Sequence, residues 1–178
     1  STDTPTYAHV LKRQGYKTGG FGKFHQVPMR METPEKVDFL GFDESVNSDD
    51  IKWGPWLEWV KEKSPEHYQE ALSMCWGSGE RNIEEETKKL YHKCKKEILE
   101  PKIRQSDWEA MYTSLLPAEL HDTKYLTDLG IDFMERHLEN DDNNPFFCHI
   151  SYVDPHDPYD PPEPYDSMFN PEEMPEPI

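Results

Sequence analysis

Gly-Tyr-Lys-Thr-Gly-Gly-Phe-Gly-Lys-Phe-His, residues 15–25, carries most of the information about the fold of this chain. Gly15 suits the end of a helix, and the residues after it predict a short strand over 17–24. The glycines weaken this strand in isolation and indicate that backbone or ligand approaches it closely. Because side chains alternate between the faces of a strand, Lys23 and His25 should point the same way from its end. A fixed cation beside a proton-transfer group suits an anionic ester substrate.

A second stretch, residues 145–158, reads Pro-Phe-Phe-Cys-His-Ile-Ser-Tyr-Val-Asp-Pro-His-Asp-Pro. It predicts a strand over 146–153, and the proline-rich end that follows cannot continue regular structure and should wrap over a surface. His156 then lies beyond the end of this strand, as Lys23 and His25 do for the first. Ligand sites of open α/β sheets form outside the carboxyl ends of the strands, so we expect these three side chains to meet.

The regions around these two strands predict mainly helices. Thr4 suits the N-cap of a helix before the first strand, and Pro5 suits its first helical position. Between the strands the pattern predicts, in order, an irregular region over 26–50, a short amphipathic helix from Gly54, a loop over 64–82, a helix from Ile83 that Pro101 stops, a further helix after Thr123, and a polar loop over 139–144. This order predicts an α/β domain with a largely parallel sheet.

The two stretches resemble the sulfatase family, whose members carry Gly-Tyr-x-Thr followed by Gly-Lys-x-His, and later a strand that ends in Pro-His-x-Pro. Phe21 replaces a smaller aliphatic residue of that pattern. The resemblance is strong over 1–25 and 117–178 and thin between them. It implies part of an alkaline-phosphatase-like domain with a mostly parallel sheet flanked by helices. Within 1–178, residues 1–25 and 117–178 would form the sheet core, and 43–116 a helical insertion.

The resemblance also implies a role for each strand-end residue. Lys23 would contact the sulfate and the nucleophile, and His25 would be the base that expels sulfate from the covalent intermediate. His156 would bind the sulfate and help at the leaving group. Sulfatases use a formylglycine nucleophile, made from Cys or Ser in Cys/Ser-x-Pro-x-Arg, and a divalent metal, usually calcium, held by acidic and amide side chains.

The nucleophile motif is absent from this sequence. None of Cys75, Cys94 and Cys148 lies in such a motif, and no serine fits it either. In the family this motif and an Asp-Asp pair come before the point that matches Ser1, and the remaining metal ligands come after the point that matches Ile178. We therefore expect an interior part of a sulfatase domain, with nucleophile and metal ligands elsewhere and no turnover by this segment alone.

Two other patterns allow a functional and a structural interpretation. His121 and Thr123 are candidates for a contact with the substrate, but they also suit the start of a helix. Trp53, Trp56 and Trp59 recur every third residue. They could line a carbohydrate or aryl subsite, although core packing explains them more simply.

Three aspartates surround His156 at intervals of three residues: Asp154, Asp157 and Asp160. Carboxylates are the ligands that calcium prefers, so a calcium site is one interpretation. Turns are the simpler one, because Asp154 and Asp157 directly precede prolines and aspartate favours turns. We therefore assign no metal ligand to this sequence.

The composition limits the classes of partner. With 36 acidic and 19 basic residues the net charge is -17, which argues against nucleic acid, because phosphate binding needs a basic face. An anionic substrate would be repelled on average, so its site needs locally concentrated positive charge. No apolar run approaches the roughly 20 residues that span a bilayer. Secretion or periplasmic export is common in the family, but the sequence does not show it, and it does not indicate an oligomeric state.

The leading hypothesis is hydrolysis of a sulfate ester, a sulfated carbohydrate or an aryl sulfate. A phosphonate or phosphate diester hydrolase of the same superfamily is an alternative, because the strand-end cations would serve phosphorus equally well. A non-catalytic acidic module that retains an anion pocket is another, suggested by the missing nucleophile motif.

Overall fold

A parallel sheet of three strands lies at the centre of the computed structural model, among the residues that it describes. These are residues 4–24, 40–76, 83–103, 110–139 and 144–176. The strands are β1 (Lys17–Gly22), β2 (Glu44–Asn47) and β3 (Phe146–Ser151), and β1 lies between the other two. Both pairs are parallel. The predicted α/β class with a mostly parallel sheet is confirmed.

The described parts of the chain form six α-helices: α1 (Tyr7–Arg13), α2 (Pro55–Lys63), α3 (Tyr68–Met74), α4 (Glu85–Cys94), α5 (Glu100–Ile103) and α6 (Asp122–Glu139). A π-helical segment, Lys95–Leu99, connects α4 to α5. None of these helices has both the length and the apolar character that a membrane crossing requires.

The first helix and strand are shorter than predicted. Thr6, not Thr4, caps α1: its side chain accepts a hydrogen bond from the backbone N–H of His9, whose ring accepts one from the N–H of Thr6. This reciprocal pair satisfies two free N–H groups of the first turn, which explains the later start. β1 ends at Gly22, two residues early, because the backbone there turns to a φ of 110° and leaves the sheet.

Three predictions for the middle of the chain were wrong. β2 lies in the region over 26–50 that was expected to be irregular, since four half-buried residues give too short a pattern to detect. α3 lies in the predicted loop, where it buries Ala71, Leu72 and Met74. Pro101 does not stop the helical region, because α5 follows the π-helical segment without a break and the helix continues to Ile103.

Helix α6 covers one face of the sheet at close range. Its Phe133 ring packs edge-on against Phe21 of β1, with ring centroids 5.8 Å apart. A side chain at Gly130 would meet Ile150 of β3 at 2.3 Å, so glycine is needed for this approach. The sheet is thereby held from its α6 side.

The three tryptophans in and just before α2 belong largely to the core. Trp53 and Trp56 are buried, and their indole N–H groups donate to the carbonyls of Trp76 at 2.6 Å and Leu120 at 3.0 Å. Trp59 is partly buried and packs on that core. The structure thus favours the packing interpretation over a carbohydrate subsite.

Candidate anion-binding site

The carboxyl ends of the three strands are aligned at one edge of the sheet. Gly22 pairs with Asn47 of β2 on one side and with Ser151 of β3 on the other. Two further hydrogen bonds extend this alignment: the N–H of Lys23 donates to Ser151 at 2.9 Å, and the N–H of Ser48 donates to Gly22 at 3.1 Å. The segments that leave the strands therefore start side by side.

Asp50, three residues beyond β2, contacts both described residues of the predicted catalytic set. Lys23 Nζ donates a hydrogen bond to its Oδ1 atom, and His156 Nε2 lies 3.7 Å from its Oδ2 atom. The Asp50 side chain is fully buried, whereas Lys23 keeps 14% and His156 40% of its side chain exposed. Lys23 and His156 therefore converge from separate strands on one buried carboxylate. His25 lies outside the described residues.

The ring of His156 is oriented by its own loop. Its Nδ1 atom is 2.7 Å from the carbonyl oxygen of Asp157 and 3.2 Å from the carboxylate of the same residue. Because a carbonyl only accepts hydrogen bonds, Nδ1 carries the hydrogen and Nε2 is the nitrogen that faces Asp50. The Trp76 ring lies beside the imidazole, with centroids 6.2 Å apart. A lysine ammonium and an imidazole, both partly open to solvent, suit binding of an anion and transfer of a proton.

A family model for sulfatases matches residues 1–176. The chain belongs to the sulfatase family. This confirms the resemblance of the two strand-end motifs.

Two curated relatives match shorter parts of this sulfatase chain. One is the multifunctional alkaline phosphatase superfamily protein PehA of Trinickia caryophylli, 35% identical over 65 residues, which are 36% of this chain and 12% of the relative. The other is an arylsulfatase of Clostridium perfringens, 42% identical over 59 residues, which are 33% of this chain and 12% of the relative. The matched parts thus span about an eighth of either relative's length.

His121 and Thr123 occupy a different part of the sulfatase chain. His121 is buried, with Nε2 3.2 Å from the carbonyl oxygen of Asp160 and Nδ1 3.0 Å from Oδ1 of Asp122. Thr123 donates a long hydrogen bond, 3.5 Å, to Asp154, and both border an open cleft. Among the described residues, His121 and Thr123 form no direct hydrogen bond or ion pair with Lys23 or His156. Their role as substrate contacts stays a prediction.

A buried charge cluster, missed by the sequence analysis, holds two loops of the site together. It consists of Lys52, His121, Asp122 and Asp160. Lys52 Nζ lies 2.6 Å from Oδ2 of Asp160 and 4.0 Å from Oδ1 of Asp122. Because Lys52 follows Asp50 and Asp160 follows His156, this ion pair connects the loop after β2 to the loop after β3.

Burial and the neighbouring charges together shift the pKa of every member of the charge cluster. Burial disfavours the charge of Lys52, but Asp122 and Asp160 outweigh it and raise the Lys52 pKa. Burial likewise opposes ionisation of Asp122, yet Lys52 and His121 lower its pKa. For Asp160 burial prevails and raises the pKa. The pKa of His121 is raised by Asp122 despite burial.

The described residues offer no fitting site for the family's metal or nucleophile. No group of three or more His, Cys, Asp or Glu in these parts of the chain could hold a metal ion. The three aspartates around His156 have separate partners: Thr123 for Asp154, His156 for Asp157 and Lys52 for Asp160. Cys75 is buried, and burial raises the pKa of its thiol.

Asp50, Lys52 and Trp76 are the residues at or beside the site that the sequence analysis did not find. Prediction of β2 would have placed Asp50 at the edge where Lys23 and His156 meet. Nothing in the sequence distinguishes Asp50 from the other acidic residues, since its partners come from distant segments.

Proposed function

We propose that this chain supplies part of the active site of a sulfate ester hydrolase that acts on a sulfated carbohydrate or an aryl sulfate. The observation that carries the proposal is the convergence of Lys23 and His156 at the carboxyl edge of the sheet. Membership of the sulfatase family and the match to an arylsulfatase support it.

The chemistry assigns a task to each group of the site. When a nucleophile attacks the sulfur, charge builds on the sulfate oxygens, the bond to the leaving oxygen breaks, and that oxygen needs a proton. The Lys23 ammonium stabilises the charge on the sulfate oxygens as a preorganised donor. Because Nδ1 of His156 holds its hydrogen against Asp157, the ring acts as the acid in its doubly protonated form: the imidazolium donates its Nε2 proton to the leaving oxygen and becomes neutral. His25, by resemblance to the family, is the base of the later step.

The nucleophile and the metal form the remaining part of the proposal. A formylglycine and a divalent cation, calcium by resemblance to the family, would come from residues outside this chain. No described cysteine or carboxylate group fits either one. We therefore derive no step through them, and we expect no turnover by this segment alone.

The test is turnover of an aryl sulfate by the complete protein that contains this chain, with Lys23→Ala as the variant. We expect kcat/KM to fall by about 10²–10³, the usual cost of losing one preorganised oxyanion donor. Lys17→Ala is the matched control, because Lys17 is the exposed residue at the opposite end of β1. It should change kcat/KM by about twofold at most. Full activity of Lys23→Ala would overturn the proposal.

A phosphate or phosphonate diester is the second candidate substrate. One observation favours it: a relative is described as a multifunctional alkaline phosphatase superfamily protein. An aryl phosphodiester in the same assay separates the two, since a higher kcat/KM on the phosphodiester would reverse the assignment. Binding of inorganic sulfate without turnover of either ester would instead support a non-catalytic anion-binding module.

A further inference from the structure

We propose that Asp50 is a positioning residue of this site, a buried carboxylate that holds Lys23 and His156 together and turns their free faces toward the bound anion. The inference rests on the proposed function and goes beyond it, because it concerns a residue outside both strand-end motifs.

The first argument is the unusual state of the Asp50 carboxylate. Its side chain has no exposed surface, and its backbone N–H donates to the carboxylate of Asp49 at 2.9 Å. Oδ1 accepts from Lys23, but Oδ2 is buried and has no hydrogen-bond partner among the described residues. A buried polar atom without a partner costs stability. Such groups call for an explanation beyond folding, and one at an active site has a ready one.

The second argument is the side from which Asp50 acts. A carboxylate between two potential cations could occupy the place of the sulfate itself. Burial argues against such a substitute for sulfate, because the Asp50 side chain has no exposed surface, whereas those of Lys23 and His156 are partly exposed. Asp50 therefore lies behind the two side chains, and the anion would approach from their open side.

The third argument is the hydrogen-bonding capacity left for a ligand. The Lys23 ammonium has three N–H groups, and its described hydrogen bond to Asp50 uses one. The 3.7 Å between His156 Nε2 and Oδ2 is longer than a hydrogen bond, so Nε2 is not committed to Asp50. Asp50 therefore holds Lys23 by a hydrogen bond and attracts the His156 ring in its protonated form, and it leaves both groups able to contact a substrate oxygen.

The fourth argument is that the segment carrying Asp50 is itself anchored. The ion pair between Lys52 and Asp160 attaches this segment to the loop of His156. The carbonyl of Ile51 accepts from the N–H of Trp76 at 3.0 Å, next to the His156 ring. A carboxylate held in this way can set a distance between two other side chains, which a surface aspartate could not.

The test compares Asp50→Asn with the wild type in the complete protein, using aryl sulfate turnover and calorimetric titration of inorganic sulfate. Asparagine keeps the size but loses the charge that holds Lys23. We expect kcat to fall by about 10- to 100-fold, as for other residues that orient an active group. KM and the sulfate affinity should change far less, because removing a negative charge does not weaken anion binding. The matched control, Asp128→Asn, removes a carboxylate from an exposed pair with Lys124 and should leave kcat unchanged.

Two further variants separate positioning from a structural role. In a His156→Gln background, Asp50→Asn should cost much less than in the wild type, since its effect passes partly through His156. Asp50→Glu keeps the charge but moves it by one methylene, so its kcat should lie between those of the wild type and Asp50→Asn. If Asp50→Asn does not fold, the Glu variant decides: a lowered kcat supports positioning, and wild-type kcat overturns it.

The outcomes for the two proposals differ. Wild-type kcat in Asp50→Asn, or a sulfate affinity that falls in parallel with kcat, overturns the role of Asp50 and leaves the proposed function standing. A wild-type protein that turns over no ester overturns the proposed function and, with it, this inference.

Discussion

At the scale of single residues, charge is paired in two neighbouring places beside the same sheet edge. Asp50 contacts Lys23 and His156 at the site, and Lys52 joins Asp160 and Asp122 two residues further along. The sequence predicted Lys23 and His156, because each stands in a recognisable strand-end motif. It could not predict Asp50 or Lys52, because their roles depend on partners that lie between 27 and 108 residues away in the sequence.

A pH prediction follows from Asp122 in the charge cluster. Its pKa is lower in the folded chain than its ordinary value of 3.8, because Lys52 and His121 favour the carboxylate despite burial. The unfolded chain therefore takes up this proton first as the pH falls. Asp122 should stabilise the fold above about pH 4 and lose that contribution progressively at lower pH. We expect Asp122→Asn to lower the free energy of unfolding at neutral pH, with a difference from wild type that shrinks as the pH falls from 5 toward 2.

The measurement is urea unfolding of the complete protein across that range, with Asp128→Asn as the control. Asp128 lies on the same helix in an exposed ion pair, and pairs of this kind contribute little. If the difference in the free energy of unfolding between wild type and Asp122→Asn stays constant at all pH values, the lowered pKa of Asp122 is contradicted. His121 has the opposite sign, because its raised pKa makes its contribution largest below about pH 6.5 and smaller as the pH rises.

At the scale of elements, long patterns were predictable and short ones were not. α6 and β3 follow apolar patterns, and the sequence predicted both elements close to the bounds that the structure shows. β2 has only four residues, and α3 lies in a polar stretch whose buried positions depend on neighbouring helices. The π-helical segment Lys95–Leu99 has no simple sequence signal, so the continuation past Pro101 was missed.

The element-scale prediction concerns Gly22, the last residue of β1. Its φ of 110° and its closeness to β3 exclude a side chain, because a Cβ would lie 1.8 Å from the carbonyl oxygen of Ser151. That carbonyl accepts the hydrogen bond of Lys23, so Gly22→Ala should both separate the strand ends and displace Lys23. We expect a loss of more than about 2 kcal/mol in the free energy of unfolding, together with reduced activity.

Gly15→Ala is the control for that prediction. Gly15 also has a positive φ, 89°, but no atom lies within 4 Å of its would-be Cβ. The Gly15→Ala variant should lose only about 1–2 kcal/mol of the free energy of unfolding, the cost of a positive φ for alanine, and it should keep its activity. Denaturant unfolding and aryl sulfate turnover measure both effects, and equal losses for the two alanine variants would show that the contact with Ser151 has no importance.

At the scale of the whole molecule, a strongly acidic chain places two of its three candidate catalytic residues, Lys23 and His156, at one edge of a parallel sheet. The α/β class followed from two motifs and their order, because parallel strands with their ends aligned bring together residues that are far apart in sequence. The two motifs did not predict the path of the segments between the strands, because that path depends on packing within the helical region.

The central claim is that Lys23 and His156 hold one tetrahedral anion between them. A crystal structure of the complete protein with inorganic sulfate tests it most directly. We expect a sulfate whose oxygens lie within about 3.2 Å of both Lys23 Nζ and His156 Nε2, with Asp50 behind them. A sulfate bound elsewhere, with Lys23 and His156 turned away from each other and neither touching it, would contradict the account.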